Sequence, residues 1–122
     1  MMVVEQDVLV RMTVADYLRE CGYRVVEAIT GEEALSILGA GLKVDTILSA
    51  VKLPGAMDGF ALAQRIREGF AGVEVILTTG HAMTAKKAGE LCEQGPGRRP
   101  YHPHLIVDRL KLLLEKHRPK PG

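Results

Sequence analysis

The chain has 122 residues, of which 47% are hydrophobic and 25% charged, the size and composition of one globular domain and too little for two full ones. Lys and Arg total 16 against 15 for Asp and Glu, so the net charge is +1. That balance excludes a strongly basic nucleic-acid module and a long acidic tail, but it does not say where the carboxylates sit.

Met1 to Val4 reads as a strand that breaks at Glu5-Gln6-Asp7. Leu9 to Glu20 reads as a helix, with Leu9, Met12, Val14, Tyr17 and Leu18 largely on one face, and Gly22 as its stop signal. Arg24 to Ala28 is a second strand. Thr30 followed by Glu33 has the spacing of a capping box and opens a helix carrying Ala34, Leu35, Ile37 and Leu38, which ends near Gly39-Ala40-Gly41. Thr46 to Ser49 is a third strand, leading into the loop Ala50-Val51-Lys52-Leu53-Pro54-Gly55. Phe60 to Arg67 is helical, with Phe60, Leu62, Ala63 and Ile66 apolar. Val73 to Thr78 is a fourth strand, and Ala82 to Cys92 suits a helix of small residues. The segment Gln94 to Pro100 has little strand propensity. Leu105 to Lys116 is a helix with Leu105, Ile106, Leu110, Leu113 and Leu114 on or near one face, and Pro119 to Gly122 reads as a disordered tail.

Strands alternating with helices of this length indicate a parallel sheet covered on both faces. The expected architecture is a doubly wound α/β sandwich of the flavodoxin-like (βα)5 type, one domain over 1–118, with its fifth strand weak or distorted. Ligands of such folds bind beyond the carboxyl ends of the strands, here Glu5-Gln6-Asp7, Ala28 to Gly31, Ser49 to Lys52, and Thr78 to His81.

Little chemistry is visible at those ends. Glu5 and Asp7 could give two carboxylates to a magnesium ion, but the third strand end adds only Ser49, Ala50 and Val51, and capping roles suit both acids as well. Thr78 and Thr79 could donate to an anion or satisfy the following loop. Arg98 and Arg99 could anchor a phosphate or form a solvated turn. Cys92 has no base or oxyanion donor placed beside it. There is no phosphate-binding glycine loop and no nucleophile elbow. His81, His102, His104 and His117 lack metal-ligand spacing. Cys21 and Cys92 make no disulfide framework, and their small or apolar neighbours point to two free, buried thiols. No apolar run reaches the ~18 residues of a membrane span, and the first residues lack a signal-peptide pattern. A cytoplasmic protein with no membrane contact is expected. With no Trp and five Phe and Tyr, a stacking surface for single-stranded nucleic acid is not expected.

From Met2 to about Glu115 the chain resembles the receiver domain of bacterial two-component response regulators. Five stretches carry the resemblance: Val3-Val4-Glu5 through Leu9-Val10-Arg11; Gly22 to Ala28 followed by Gly31-Glu32-Glu33-Ala34-Leu35; Leu53-Pro54-Gly55 through Met57-Asp58-Gly59; Val75 to Gly80; and Pro100-Tyr101. The resemblance implies a phosphoacceptor aspartate at the end of the third strand, an acidic pair at the first strand end holding magnesium, a hydroxyl after the fourth strand, and a lysine before the last helix. It also implies signalling through the face of the last two helices and strand.

Mapped onto this chain, the phosphoacceptor position carries Ala50 and the acidic pair becomes Glu5 and Gln6. The hydroxyl is Thr79, the lysine becomes Arg99 with its fixed fork of donors, and the aromatic position of the fifth strand falls at Pro96. Asp45 and Asp58 match non-acceptor positions. The expectation is a degenerate receiver, a stand-alone pseudo-receiver and not an enzyme. It would act by protein–protein interaction on a histidine kinase, another receiver or a separate output protein, without direct nucleic-acid contact. Magnesium binding, through Glu5 and Asp7 if at all, is expected to be weak, with no cofactor. Tyr101, Leu105, Ile106 and Leu110 form the candidate interaction face, which also allows a homodimer. Two alternatives stand beside this reading: a conventional phosphorylatable receiver, and a small-anion module using Thr79 and Arg99.

Overall fold

The computed structural model describes residues 1–95, together with Asp108 and Leu112. Four strands and four helices alternate along it: β1 (Met2–Val4), α1 (Val8–Glu20), β2 (Val26–Ala28), α2 (Gly31–Gly39), β3 (Thr46–Ala50), α3 (Gly59–Gly69), β4 (Glu74–Thr78) and α4 (His81–Gln94). The strands pair in parallel in the order β2-β1-β3-β4. Met2 lies between Val26 and Ile47, and Val4 between Ala28 and Ser49. Every expected element within 1–95 is present, with ends shifted by a residue or two. The fifth strand, the tail over 119–122 and the face of Tyr101, Leu105, Ile106 and Leu110 lie outside the described residues. Asp108 and Leu112, within the expected last helix, are helical and exposed.

Side chains alternate across the pleat, so the sheet has two apolar faces. Met2, Val4 and Ile47 pack with Ala34 and Leu38 of α2 and Leu62 and Ile66 of α3. Val3 and Leu48 pack on the other side with Val10, Val14, Tyr17, Leu18 and Cys21, and with Ala85, Ala88 and Cys92 of α4. The buried positions of α1 recur at intervals of three and four, the stripe a helix needs to cover a sheet.

Local signals place the helix starts. Asp7 Oδ1 accepts from the amides of Leu9 and Val10 at 3.0 and 3.2 Å, capping α1. Thr30 Oγ1 accepts from Glu33 N at 3.0 Å, while Glu33 Oε1 reaches back to Ile29 N at 3.1 Å, one residue before the usual capping-box partner. Asp58 Oδ1 accepts from Ala61 N at 2.8 Å and starts α3. Phe60, though apolar, is 61% exposed. The inward stripe of α3 runs through Gly59, Leu62 and Ile66, and Phe60 stands about 100–160° from each of them.

The cysteines correct the reading of two free thiols. Both are buried, as expected, but Cys21 and Cys92 form a disulfide across a sequence separation of 71, with Cα atoms 5.5 Å apart. The bond joins the end of α1 to the last turn of α4. Beside it, Tyr23 Oη donates to Leu91 O at 2.6 Å.

Burial raises the pKa of Tyr23 above 10.0. The folded chain therefore holds this proton more tightly than the unfolded chain. Its contribution is fully present below pH 10 and is lost as pH rises through the raised value. Alkaline unfolding followed by circular dichroism is expected to show this loss in the native chain, and Tyr23→Phe is expected to remove that part of the pH dependence.

Candidate functional site

The carboxyl ends of β1, β3 and β4 open into one cavity of about 400 Å³. Its walls come from Glu5 and Gln6 after β1, Ala50, Val51 and Lys52 at the end of β3, Thr78, Thr79 and Gly80 after β4, and His81 and Thr84 of α4. Glu5, Gln6, Ala50 and Thr79, distant in sequence, are thus brought together. Arg99 lies outside the described residues.

Glu5 is 6% exposed. Its Oε2 accepts from Asp7 N at 2.8 Å, and its Oε1 lies 3.9 Å from His81 Nε2, an ion pair when the imidazole is protonated. The Glu5 carbonyl accepts from Arg11 Nη1 at 3.0 Å, and Arg11 is itself paired with Glu27 at 3.2 Å. These contacts fix the turn after β1. Asp7 turns its carboxylate to the start of α1 instead of the cavity. Gln6 is exposed at the rim.

Ala50 presents only a methyl group. Its carbonyl accepts from Ser49 Oγ at 2.9 Å. The loop that follows returns against this point, with Gly59 N donating to Val51 O at 2.7 Å. On the β4 side, Thr84 Oγ1 donates to Gly80 O at 3.1 Å and lies 2.7 Å from Thr78 Oγ1. Thr84 has one proton, and Gly80 takes it, so Thr78 is the donor between the two hydroxyls. Thr79 is exposed, with its amide on Met83 Sδ at 3.4 Å.

The site therefore holds one buried carboxylate, one imidazole, three threonine hydroxyls and a rim lysine. A hard divalent cation takes several oxygen ligands, whereas both oxygens of Glu5 already face an amide or the imidazole. Among the described residues, no three His, Cys, Asp or Glu side chains cluster as a metal site. Arg11, Lys52 and Thr84 are contributors that the sequence reading did not single out, and His81 was weighed there only as a metal ligand. Lys52 and His81 fall within the expected strand-end segments; the partners of Arg11 and Thr84 depend on packing.

A parallel α/β domain with its polar pocket at the strand ends is a defined class, and comparison with known proteins narrows it. A model of the response regulator receiver domain matches residues 1–95. The chain belongs to that family and is a signalling module of the two-component type. It is 30% identical over 117 residues to the uncharacterized transcriptional regulatory protein YbdJ of Bacillus subtilis, covering 95% of this chain and 51% of that protein. It is 36% identical over 118 residues to the sensor kinase CckA of Brucella abortus, covering 94% of this chain and 12% of the kinase. The chain thus spans about half or less of these relatives. The chemotaxis response regulator CheY4 of Vibrio cholerae superposes with a TM-score of 0.60 at 26% identity, covering 93% of this chain and 96% of that one. The N-terminal domain of a three-domain response regulator from Carboxydothermus hydrogenoformans gives a TM-score of 0.63 at 22% identity, covering 95% and 94%, a likeness of fold. No helix among the described residues is long and apolar enough to cross a membrane.

Proposed function

We propose that this domain is an atypical receiver that signals through protein–protein contact and is not phosphorylated at the end of β3. The observation that carries the reading is Ala50, the last residue of β3, in the wall of the strand-end cavity. An acyl phosphate needs a carboxylate nucleophile, and a methyl group supplies none. The state of the acidic residues agrees: Glu5 is engaged by Asp7 N and His81, Gln6 is neutral, and Asp7 caps α1. Magnesium binding is accordingly weak at most, and the domain carries out no catalysis of its own. Its partner is a histidine kinase, another receiver or a separate output protein, met in the cytoplasm.

The test is incubation with acetyl phosphate and magnesium, followed by intact-mass measurement. No added phosphoryl group is expected on the native chain. The double variant Ala50→Asp with Gln6→Asp is expected to take one up as a base-labile adduct. A stoichiometric, base-labile adduct on the native chain would overturn the reading and restore that of a conventional receiver.

A further inference from the structure

We propose that the Cys21–Cys92 disulfide is a redox latch that holds α4 on the α1 face of the sheet, and that a dithiol reductant opens it and releases one wall of the strand-end cavity. The inference stands on topology and packing, independently of whether Ala50 disables phosphorylation.

The placement of α4 is the first observation. The connections β2–α2–β3 and β3–α3–β4 step the same way across the sheet, and α2 and α3 share a face. The connection β1–α1–β2 steps the other way, and α1 lies on the opposite face. This is the pattern of right-handed crossovers. A helix leading from β4 to a further parallel strand outside it would, by the same rule, lie with α2 and α3. In this structure α4 lies with α1.

Among the described residues, none covers the side that rule would use. Ala63, Phe70, Val73, Val75 and Leu77 line a cavity of about 250 Å³ beside β4 on the α3 side. The sheet thus offers two apolar surfaces flanking β4, and among the described residues α4 covers the one on the α1 side.

What keeps α4 where it is has little bulk. Its buried residues are Thr84, Ala85, Ala88, Gly89 and Cys92, and small side chains remove little apolar area from water. Among the described residues, its carboxyl end is fastened by the disulfide, by the Tyr23–Leu91 hydrogen bond and by Leu91 packing partly buried against the same cluster. At its amino end, α4 builds the pocket through His81 to Glu5, Met83 to Thr79 and Thr84 to Thr78. Movement of the helix alters all three contacts, so the state of the bond reaches the strand ends.

The exchange chemistry is balanced by the dithiol. Its thiolate attacks one sulfur, giving a mixed disulfide and releasing the other cysteine as a thiol. Its second thiol then displaces the remaining cysteine and leaves as an oxidised disulfide. Two electrons and two protons pass to Cys21 and Cys92. Both sulfurs belong to buried residues, so attack follows opening of the last turn of α4, which contains no basic residue of its own to complement the helix end. Intracellular disulfides are more often transient and redox-sensing than structural.

The experiment is amide hydrogen exchange on the full chain, oxidised and then held in excess dithiothreitol, with iodoacetamide labelling and mass measurement in parallel. No cysteine is expected to label before reduction and both after it. On reduction, amides in 81–94 are expected to lose more than about tenfold more protection than those of α1, α2 and α3, which lose only what the lower global stability takes from them, and reoxidation is expected to restore the first pattern. Unchanged exchange in α4 would overturn the proposal, and so would an equal loss of protection in all four helices, which would make the bond a general staple. The variant Cys21→Ala with Cys92→Ala is expected to match the reduced chain and to ignore the reductant. If it does not fold, reversible reduction of the native chain decides alone.

Discussion

Replacing Cys21 and Cys92 together by alanine is expected to lower the unfolding free energy by about 4 kcal/mol. The chain-entropy argument sets the figure: the bond closes a loop over a sequence separation of 71, and cross-links over loops of this order restrict the unfolded chain by ~4 kcal/mol. Domains of this size hold only about 5–15 kcal/mol in total, so the loss is a quarter or more of the whole. Urea unfolding by fluorescence or circular dichroism measures it. The slope of free energy against urea should also rise, because an unfolded chain without the cross-link exposes more surface. A loss under about 1 kcal/mol at unchanged slope would show that the bond does not constrain the unfolded chain. This global measurement is distinct from local release of α4, which is read by exchange in one helix while the rest stays folded.

Gly59→Ala is expected to cost about 2–3 kcal/mol and to distort the strand-end cavity. A β-carbon at Gly59 would collide with the carbonyl oxygen of Ala50, and would stand 2.9 Å from the Cα of Val51 and 3.1 Å from Leu77 Cδ2. Two of these neighbours are backbone and cannot rotate aside. Relief requires moving the loop after β3 away from the first turn of α3, which stretches the 2.7 Å bond from Gly59 N to Val51 O. Alanine's better helix propensity, worth up to ~1 kcal/mol, offsets part of the cost. Thermal unfolding checks the stability, and chemical-shift changes at Ala50, Val51 and Lys52 check the distortion. By contrast, alanine at Gly69, which meets nothing within 4 Å, is expected to be neutral or mildly stabilising by the same assay.

Much of the fold can be read locally. The apolar runs at 2–4, 46–49 and 74–78 are strands because they are short, bounded by turn residues and apolar on both sides. Thr30 with Glu33 announces α2 through hydrogen bonds spanning at most four residues. The strand-end rule brings Glu5, Ala50 and Thr79 to one place without any side-chain detail. The exposure of Phe60 could not be read locally, because apolar character alone does not fix which side of a helix faces inward. The side was set by Gly59, whose close approach to Ala50 and Val51 turns Leu62 and Ile66 toward the sheet.

The site was legible only in outline. His81 meets Glu5 and Thr84 meets Thr78 because α4 starts one residue after Gly80 and leans over the ends of β1 and β4. Arg11 reaches the Glu5 carbonyl because α1 turns back over the strand it follows. No spacing motif records these pairings, since each depends on the direction a helix takes after leaving its strand.

The average charge and composition argued by themselves only for a globular domain of ordinary charge, and the residue order determined its α/β alternation, its helix starts and the absence of a carboxylate at Ala50. Those properties depend on local periodicity and on residue identity. The disulfide, the side of the sheet that α4 covers and the contacts of Glu5 were decided by tertiary structure alone. Two cysteines 71 positions apart in the chain carry no signature of pairing; they meet because α4 packs its small residues against α1, a choice between two faces of the sheet that neither helix makes in isolation.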